Sequence, residues 1–192
     1  MLKDIIKNNR SYRRFDENVE IENSLLVSFI DDARFTPSAR NQQALVFKVI
    51  SEKEDREKLF PLLKWAGYLK DWDGPVDGEK PTGYIVIGIK KEHSSNYIND
   101  WTYTDLGISA QTILLLAAEA GFGGCMIAAI NRNKIVETFG IPENIEIMMV
   151  LAIGKPNEKV VVEEKSNLED IKYYRKEDVH YVPKRTLKDI LL

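Results

Sequence analysis

The chain has 192 residues, of which 44% are hydrophobic and 30% charged, with a formal net charge of -3. That length suits one domain, able to bury roughly 70% of the surface its unfolded form exposes, and the composition excludes disordered and fibrous classes. A weakly negative chain has no global basic field for nucleic acid or an anionic membrane, so neither is expected as a partner and any anion site must be a local cluster.

In chain order, Leu2 to Asn9 reads as a short helix with Leu2, Ile5 and Ile6 on one face. A basic segment follows, Arg10-Ser11-Tyr12-Arg13-Arg14-Phe15. From Asn23 to Phe35 the stripe of Leu25, Leu26, Phe29 and Ile30 predicts a helix, stopped by Pro37. Leu45 to Ile50 reads as a buried strand. Ser51-Glu52-Lys53-Glu54 has capping-box spacing, so the next helix is expected to start at Glu52 and run to about Leu63.

Residues 64–82 change character, with Trp65, Tyr68 and Trp72 among three glycines and two prolines. An aromatic loop of this kind reads as a lid or a surface cover. Gly83 to Lys90 is a central strand. Tyr97 to Ala120 is a long helix, apolar on nearly every side over Ile113 to Ala118, which places it either at the centre or in a subunit interface. Gly121 ends it. Cys125 to Ile130 reads as a strand, Asn131 caps a helix to Phe139, and Ile145 to Ile153 is a third buried strand. The tail, 157–192, has too little apolar content for its own core and is expected to pack across something else, such as a partner subunit; Thr186 to Leu192 reads as a small terminal helix.

Two histidines, His93 and His180, lie far apart, and no Cys/His/Asp/Glu cluster has ligand spacing, so no metal is expected. The one cysteine, Cys125, sits among glycines and apolar residues and reads as a core thiol; it allows no internal disulfide. The charged start Met1-Leu2-Lys3-Asp4 is unlike a signal peptide, and together these features suggest a cytoplasmic setting. Gly121-Phe122-Gly123-Gly124 lacks both P-loop and dinucleotide-fingerprint spacing and reads as a tight turn. With few side chains suited to catalysis, any reaction would rest on a cofactor. Arg10-Ser11-Tyr12-Arg13-Arg14 combines guanidinium forks, a hydroxyl and loop amides, which suit a phosphate monoester; it can also be read as a solvated basic turn. Lys184-Arg185 is a second basic pair. Thr36 to Gln43 offers small residues and side-chain amides that could read the edge of a flat heterocycle, or it is a helix-to-strand turn.

Arg10-Ser11-Tyr12-Arg13-Arg14-Phe15, Pro37-Ser38-Ala39-Arg40-Asn41-Gln42-Gln43, Asp105-Leu106-Gly107 with Gln111, the turn at 121–123, Ile153-Gly154-Lys155-Pro156 and Lys184-Arg185 occur in an order that resembles the nitroreductase family of flavoproteins over nearly the whole chain. The resemblance implies an α+β fold, with a mixed central sheet packed by helices, in one FMN-binding domain over 1–192. It also implies a homodimer with swapped C-terminal segments, in which 64–82 is a lid or insertion and 157–192 a dimer-wrapping tail. Arg10, Ser11 and Arg13, closed by Lys184 and Arg185, would hold the phosphate and ribityl end. Pro37, Ser38, Ala39 and Asn41 would contact the flavin from the partner subunit, and the backbone at Ala128 and Ala129 would lie near N5. NADH or NADPH would be the co-substrate, passing hydride through N5 to a small flat acceptor, nitroaromatic or quinone-like, in ping-pong fashion. Other flavin reactions (reductive dehalogenation, flavin breakdown, metabolite dehydrogenation) and a non-catalytic flavin-binding module are the alternatives. Trp65, Tyr68 and Trp72 would cover the flavin face, or pack into the dimer surface. The sequence departs from the family pattern at Ala44-Leu45, where Pro-Trp usually follows.

Overall fold

In the computed structural model, which describes residues 1–69, 71–91, 100–166 and 171–192, the chain runs α1 (Leu2–Asn8), β1 (Phe15–Asp16), α2 (Asn23–Ala33), β2 (Leu45–Ile50), α3 (Lys53–Leu59), β3 (Gly83–Lys90), α4 (Asp100–Glu119), β4 (Gly123–Ile127), α5 (Arg132–Phe139), β5 (Ile145–Pro156), β6 (Lys159–Lys165), β7 (Tyr174–Lys176) and β8 (Val179–Arg185). A five-stranded sheet has the order β1-β5-β3-β2, with β4 also on β5. Its strand pairings are antiparallel, and a parallel bridge joins Ser11 to Gly124. In the second sheet, β6-β8-β7, β6 runs parallel to β8 and β7 antiparallel. The architecture is the expected α+β one, with mixed pairing.

The side-chain period of two along β3 sorts the core. Ile85, Ile87 and Ile89 face α2 and α4, packing with Leu26, Phe29, Leu106 and Ile113. Tyr84 and Val86 face the other way, toward Leu59 of α3 and Ile135 of α5. With both faces covered, β3 is buried from Gly83 to Ile89, as its uninterrupted apolar run requires. No helix among the described residues is long and apolar enough to cross a membrane.

Several boundaries differ from the sequence expectation for local reasons. Ser51 does not cap α3. Its Oγ accepts a hydrogen bond from Asn23 Nδ2 at 3.0 Å, tying the start of α2 to the end of β2, and the helix begins at Lys53. At the end of α4, Gly121 (φ 80°) closes a Schellman turn: Phe122 N–H donates to Ala117 O at 2.8 Å and Gly121 N–H to Ala118 O at 3.1 Å. The chain is then free to enter β4 at Gly123, two residues before the expected strand. It leaves the sheet after Ile127, where Lys64 N–H takes Ala129 O and Arg132 takes Ala128 O. The cap at Asn131 forms as read, its Oδ1 accepting from Lys134 N–H at 3.2 Å. The start of the long helix expected at 97–99, and His93, lie outside the described residues. The tail makes its own three-stranded sheet, which the low apolar content did not suggest, and the expected terminal helix is a single 3-10 turn at Leu187–Asp189.

Candidate functional site

The basic segment is held against β4, where Gly123 lets the Tyr12 ring approach and Gly124 lets β4 lie close to β5. A Cβ on Gly123 would lie 2.6 Å from the Tyr12 ring, and one on Gly124 would lie 2.3 Å from Ala152 O. Tyr12 N–H donates to Gly124 O at 3.1 Å, and Tyr12 Oη donates to Asn8 O at 2.9 Å. This anchoring turns Arg10, Ser11 and Arg13 into a cavity of about 230 Å³ whose opposite wall is β8, with Lys184. Cations from the two ends of the chain therefore meet. Asn9 and Gln111 of α4 add side-chain amides, and no carboxylate lines the cavity among the described residues. Arg10 donates to Ile6 O at 2.7 Å through Nη2, while its Nε is buried without a partner. Arg13 Cζ sits 4.8 Å over the Tyr173 ring. A concave patch of guanidinium, ammonium, hydroxyl and amide donors fits a phosphate monoester.

Glu158, unmarked in the sequence, holds this arrangement together. Its side chain is 1% exposed. One carboxylate oxygen accepts from the backbone N–H of Arg13 and, at 3.2 Å, of Arg14. The other is paired with Arg175 Nη2 and lies 4.0 Å from His180 Nδ1. His180 is 1% exposed, lines the cavity and has no hydrogen-bond partner on either nitrogen. Burial, then the Arg13 and Arg175 charges, pull its pKa down to about 4.

The second candidate stretch folds as a strained loop. Arg40, Asn41 and Gln43 have φ of 54°, 55° and 50°, a region that costs non-glycine residues roughly 1–2 kcal/mol each. Asp105 of α4 stabilises it: its carboxylate accepts from Ser38 Oγ at 2.8 Å and from Ala39 N–H at 3.0 Å. Ser38 Oγ in turn accepts from Gln43 N–H at 3.0 Å. Pro37 and Ser38 line a cavity of about 180 Å³ that also includes Asp105 and Ser109. It is distinct from the basic one. At about 100° per residue, Ser109 and Gln111 lie roughly 200° apart around α4, so the two cavities occupy opposite sides of that helix.

The other expected residues are placed as follows. Lys184 lines the basic cavity, whereas Arg185, its neighbour on β8, does not; successive strand residues face opposite ways, and Arg185 Nη2 donates to Asp189 O. Ala128 and Ala129 are exposed beyond β4, with their carbonyls engaged as described above. Trp65 is no surface cover. It is 8% exposed and packs in the core beside Phe60, ring centroids 5.9 Å apart, because the chain at 63–64 is pinned to Ala129 and Ile130. Tyr68 and Trp72 lie against the tail: the Tyr68 ring is 5.1 Å from that of Tyr173, and Arg175 Cζ is 5.0 Å over Trp72. Cys125 is buried, and desolvation pushes its thiol up to about 12, as befits a core thiol.

Residues 6–155 match the model of the nitroreductase family. A Bacillus subtilis protein, YodC, provisionally named an NAD(P)H nitroreductase, is 24% identical over 177 residues, spanning 79% of this chain and 88% of its own. A Clostridium difficile FMN-dependent nitroreductase structure is 26% identical, with a TM-score of 0.63 over 86% of this chain and 92% of that one. A structure from Exiguobacterium sibiricum, solved in complex with FMN, is 20% identical with a TM-score of 0.71, covering 91% and 97% of the two chains. The N-terminal basic segment of the cavity lies inside the matched region, while its β8 wall lies beyond it, and the chain belongs to the nitroreductase family.

Proposed function

We propose that this chain is an FMN-dependent NAD(P)H oxidoreductase, one domain over 1–192 that works as a cytoplasmic homodimer. The observation that carries this reading is the meeting of Arg10, Ser11 and Arg13 with Lys184 around one cavity that no carboxylate lines among the described residues. The buried, unpartnered Arg10 Nε, and one nitrogen of His180, are what a phosphate would satisfy. When bound, FMN would supply the redox chemistry, hydride transfer between NADH or NADPH and a small flat acceptor, nitroaromatic or quinone-like. The names of the Bacillus subtilis and Clostridium difficile relatives support the co-substrate and the cofactor.

The chain's own residues bind and orient. Arg10, Ser11, Arg13 and Lys184 hold the phosphate, with Arg13 able to extend toward the ring. Pro37, Ser38, Ala39 and Asn41 read the ring from the partner subunit. That division is supported by the position of the loop, on the far side of α4 from this chain's basic cavity, and by the exposure of Pro37 and Asn41. Ala128 and Ala129, exposed at the end of β4, approach N5 through their backbone. The apolar residues exposed past β8 (Leu187, Ile190 and Leu191) are the part of the 157–192 tail that would cross to the partner. Tyr68 and Trp72 form a cover at the mouth of the cavity, the working part of the 64–82 insertion.

Two experiments test this. Denatured protein should release FMN and not FAD, and steady-state rates should give parallel double-reciprocal lines for a nicotinamide donor and a quinone. Colourless protein that takes up no added FMN, or flavin-bound protein without turnover, would refute the enzyme reading.

A further inference from the structure

His180 belongs to β8, four residues before Lys184, on the same face of the strand, and both line the basic cavity. Period-two geometry puts both on that face, about 13 Å apart along the strand, with Val182 between them. A buried polar group without a partner costs free energy, and His180 has two such nitrogens. Nδ1 lies 4.0 Å from Glu158 Oε2, and Nε2 is buried without a partner in a residue that lines the cavity. If phosphate lies there, the ring has an acceptor on each side, and a neutral imidazole carries only one N–H. The ring is otherwise fixed: Tyr173 packs edge-on at 5.5 Å between centroids, and Tyr173 is itself held by Arg13 and by Tyr68.

We propose that His180 is a further binding residue of this site, donating a hydrogen bond to the cofactor's phosphate and taking up a proton from solvent as the phosphate enters. The proposal rests on the reading of the cavity as the phosphate end of an FMN site. The charged groups that face the ring come from four places. Arg13 and Arg10 belong to the N-terminal segment, Arg175 to β7, Lys184 to β8 itself and Glu158 to the turn between β5 and β6. With the cavity free of phosphate, burial, and then the cations, which outnumber the one carboxylate among the described residues here, hold the imidazole neutral. A phosphate dianion offsets two of those positive charges and gives the ring a charged acceptor, which favours the imidazolium. Cofactor binding and protonation are thereby linked, so phosphate-dependent affinity strengthens as pH falls toward the range where the ring titrates.

The test uses FMN and riboflavin, which differ only in the phosphate. The chain has two histidines, so imidazole NMR signals can be assigned with His93→Gln. In the wild-type protein the His180 titration midpoint should rise by about one pH unit or more with FMN and stay near its apo position with riboflavin. An unchanged midpoint with saturating FMN overturns the proposal, and this measurement needs no variant to fold. In parallel, His180→Phe should weaken FMN binding roughly ten- to a hundred-fold, the range of one hydrogen bond to a charged group. It should leave riboflavin binding unchanged, and His180→Gln should recover part of the loss. FMN binding to His180→Phe at wild-type strength overturns the role of His180 and leaves the site reading standing. Wild-type protein that binds FMN no better than riboflavin overturns the site reading itself, and this proposal with it.

Discussion

Replacing Glu158 by glutamine tests the internal framework of the site. The carboxylate accepts two backbone N–H groups, from Arg13 and Arg14, and pairs with Arg175 at a position nearly closed to solvent. Removing one partner of a buried ion pair costs about 3–5 kcal/mol. The amide oxygen of glutamine keeps one acceptor, which returns about 1 kcal/mol. The expected loss is about 2–4 kcal/mol, and at about 2–4 °C per kcal/mol for a chain of this size the melting temperature should fall by roughly 5–15 °C. Thermal unfolding followed by circular dichroism, on flavin-loaded and stripped protein, reads this directly. Glu164→Gln, at an exposed position on β6, is the control and should lie within about 0.5 kcal/mol of wild type. FMN should also dissociate faster from Glu158→Gln, because the Arg13 backbone loses its tether. A Glu158→Gln protein that melts within about 1 °C of wild type would refute the reasoning that a buried acceptor docks the tail onto the basic segment.

Other consequences follow from the same contacts. Asp105→Asn loses acceptor capacity for Ser38 and Ala39 beneath a loop with three left-handed residues. It should cost about 1–2 kcal/mol and lower turnover about ten-fold, while the preference for FMN over riboflavin persists; unchanged turnover would contradict it. Cys125, buried and with its thiol pushed up to about 12, should not react with a disulfide reagent until the protein unfolds. The depressed His180 pKa makes the apoprotein pH-sensitive in a defined direction. The unfolded chain takes up this proton near the ordinary value and the folded chain only at about 4. Stability from this group is thus complete above about pH 6.5 and lost as pH falls through 4. Apo His180→Gln should show a correspondingly flatter acid limb in stability against pH.

Local patterning made much of this fold legible. The runs at Leu45–Ile50 and Gly83–Lys90 form strands with the expected bounds, because an apolar run between turn signals marks a strand; β3 is buried as read, whereas β2, at the end of the sheet order, buries only Ile50 fully. Asn131 caps as read because its partner is three residues away. Ser51 fails to cap because a distant residue, Asn23, takes its hydroxyl. Glu158 failed to show for the same kind of reason: Asn157-Glu158-Lys159 reads as a solvated turn, and the backbone amides its carboxylate accepts from are about 145 residues away in the chain. The basic motif at 10–14 was visible as chemistry. Its closure by Lys184, but not by Arg185, is set by strand alternation within β8, a strand the polar tail gave no sign of. Trp65 looked like a cover because aromatic loops often are; the bridge from Leu63 to Ile130 turns it inward instead.

The account rests on the basic cavity as a phosphate site, and equilibrium titration of flavin-stripped protein with FMN tests that most directly, comparing wild type with the Arg10→Ala/Arg13→Ala double variant. Loss of two charge-assisted contacts, at about 1.5–3 kcal/mol each, predicts binding weaker by roughly a hundred-fold or more, with riboflavin binding little changed. A double variant that holds FMN as tightly as wild type would contradict it.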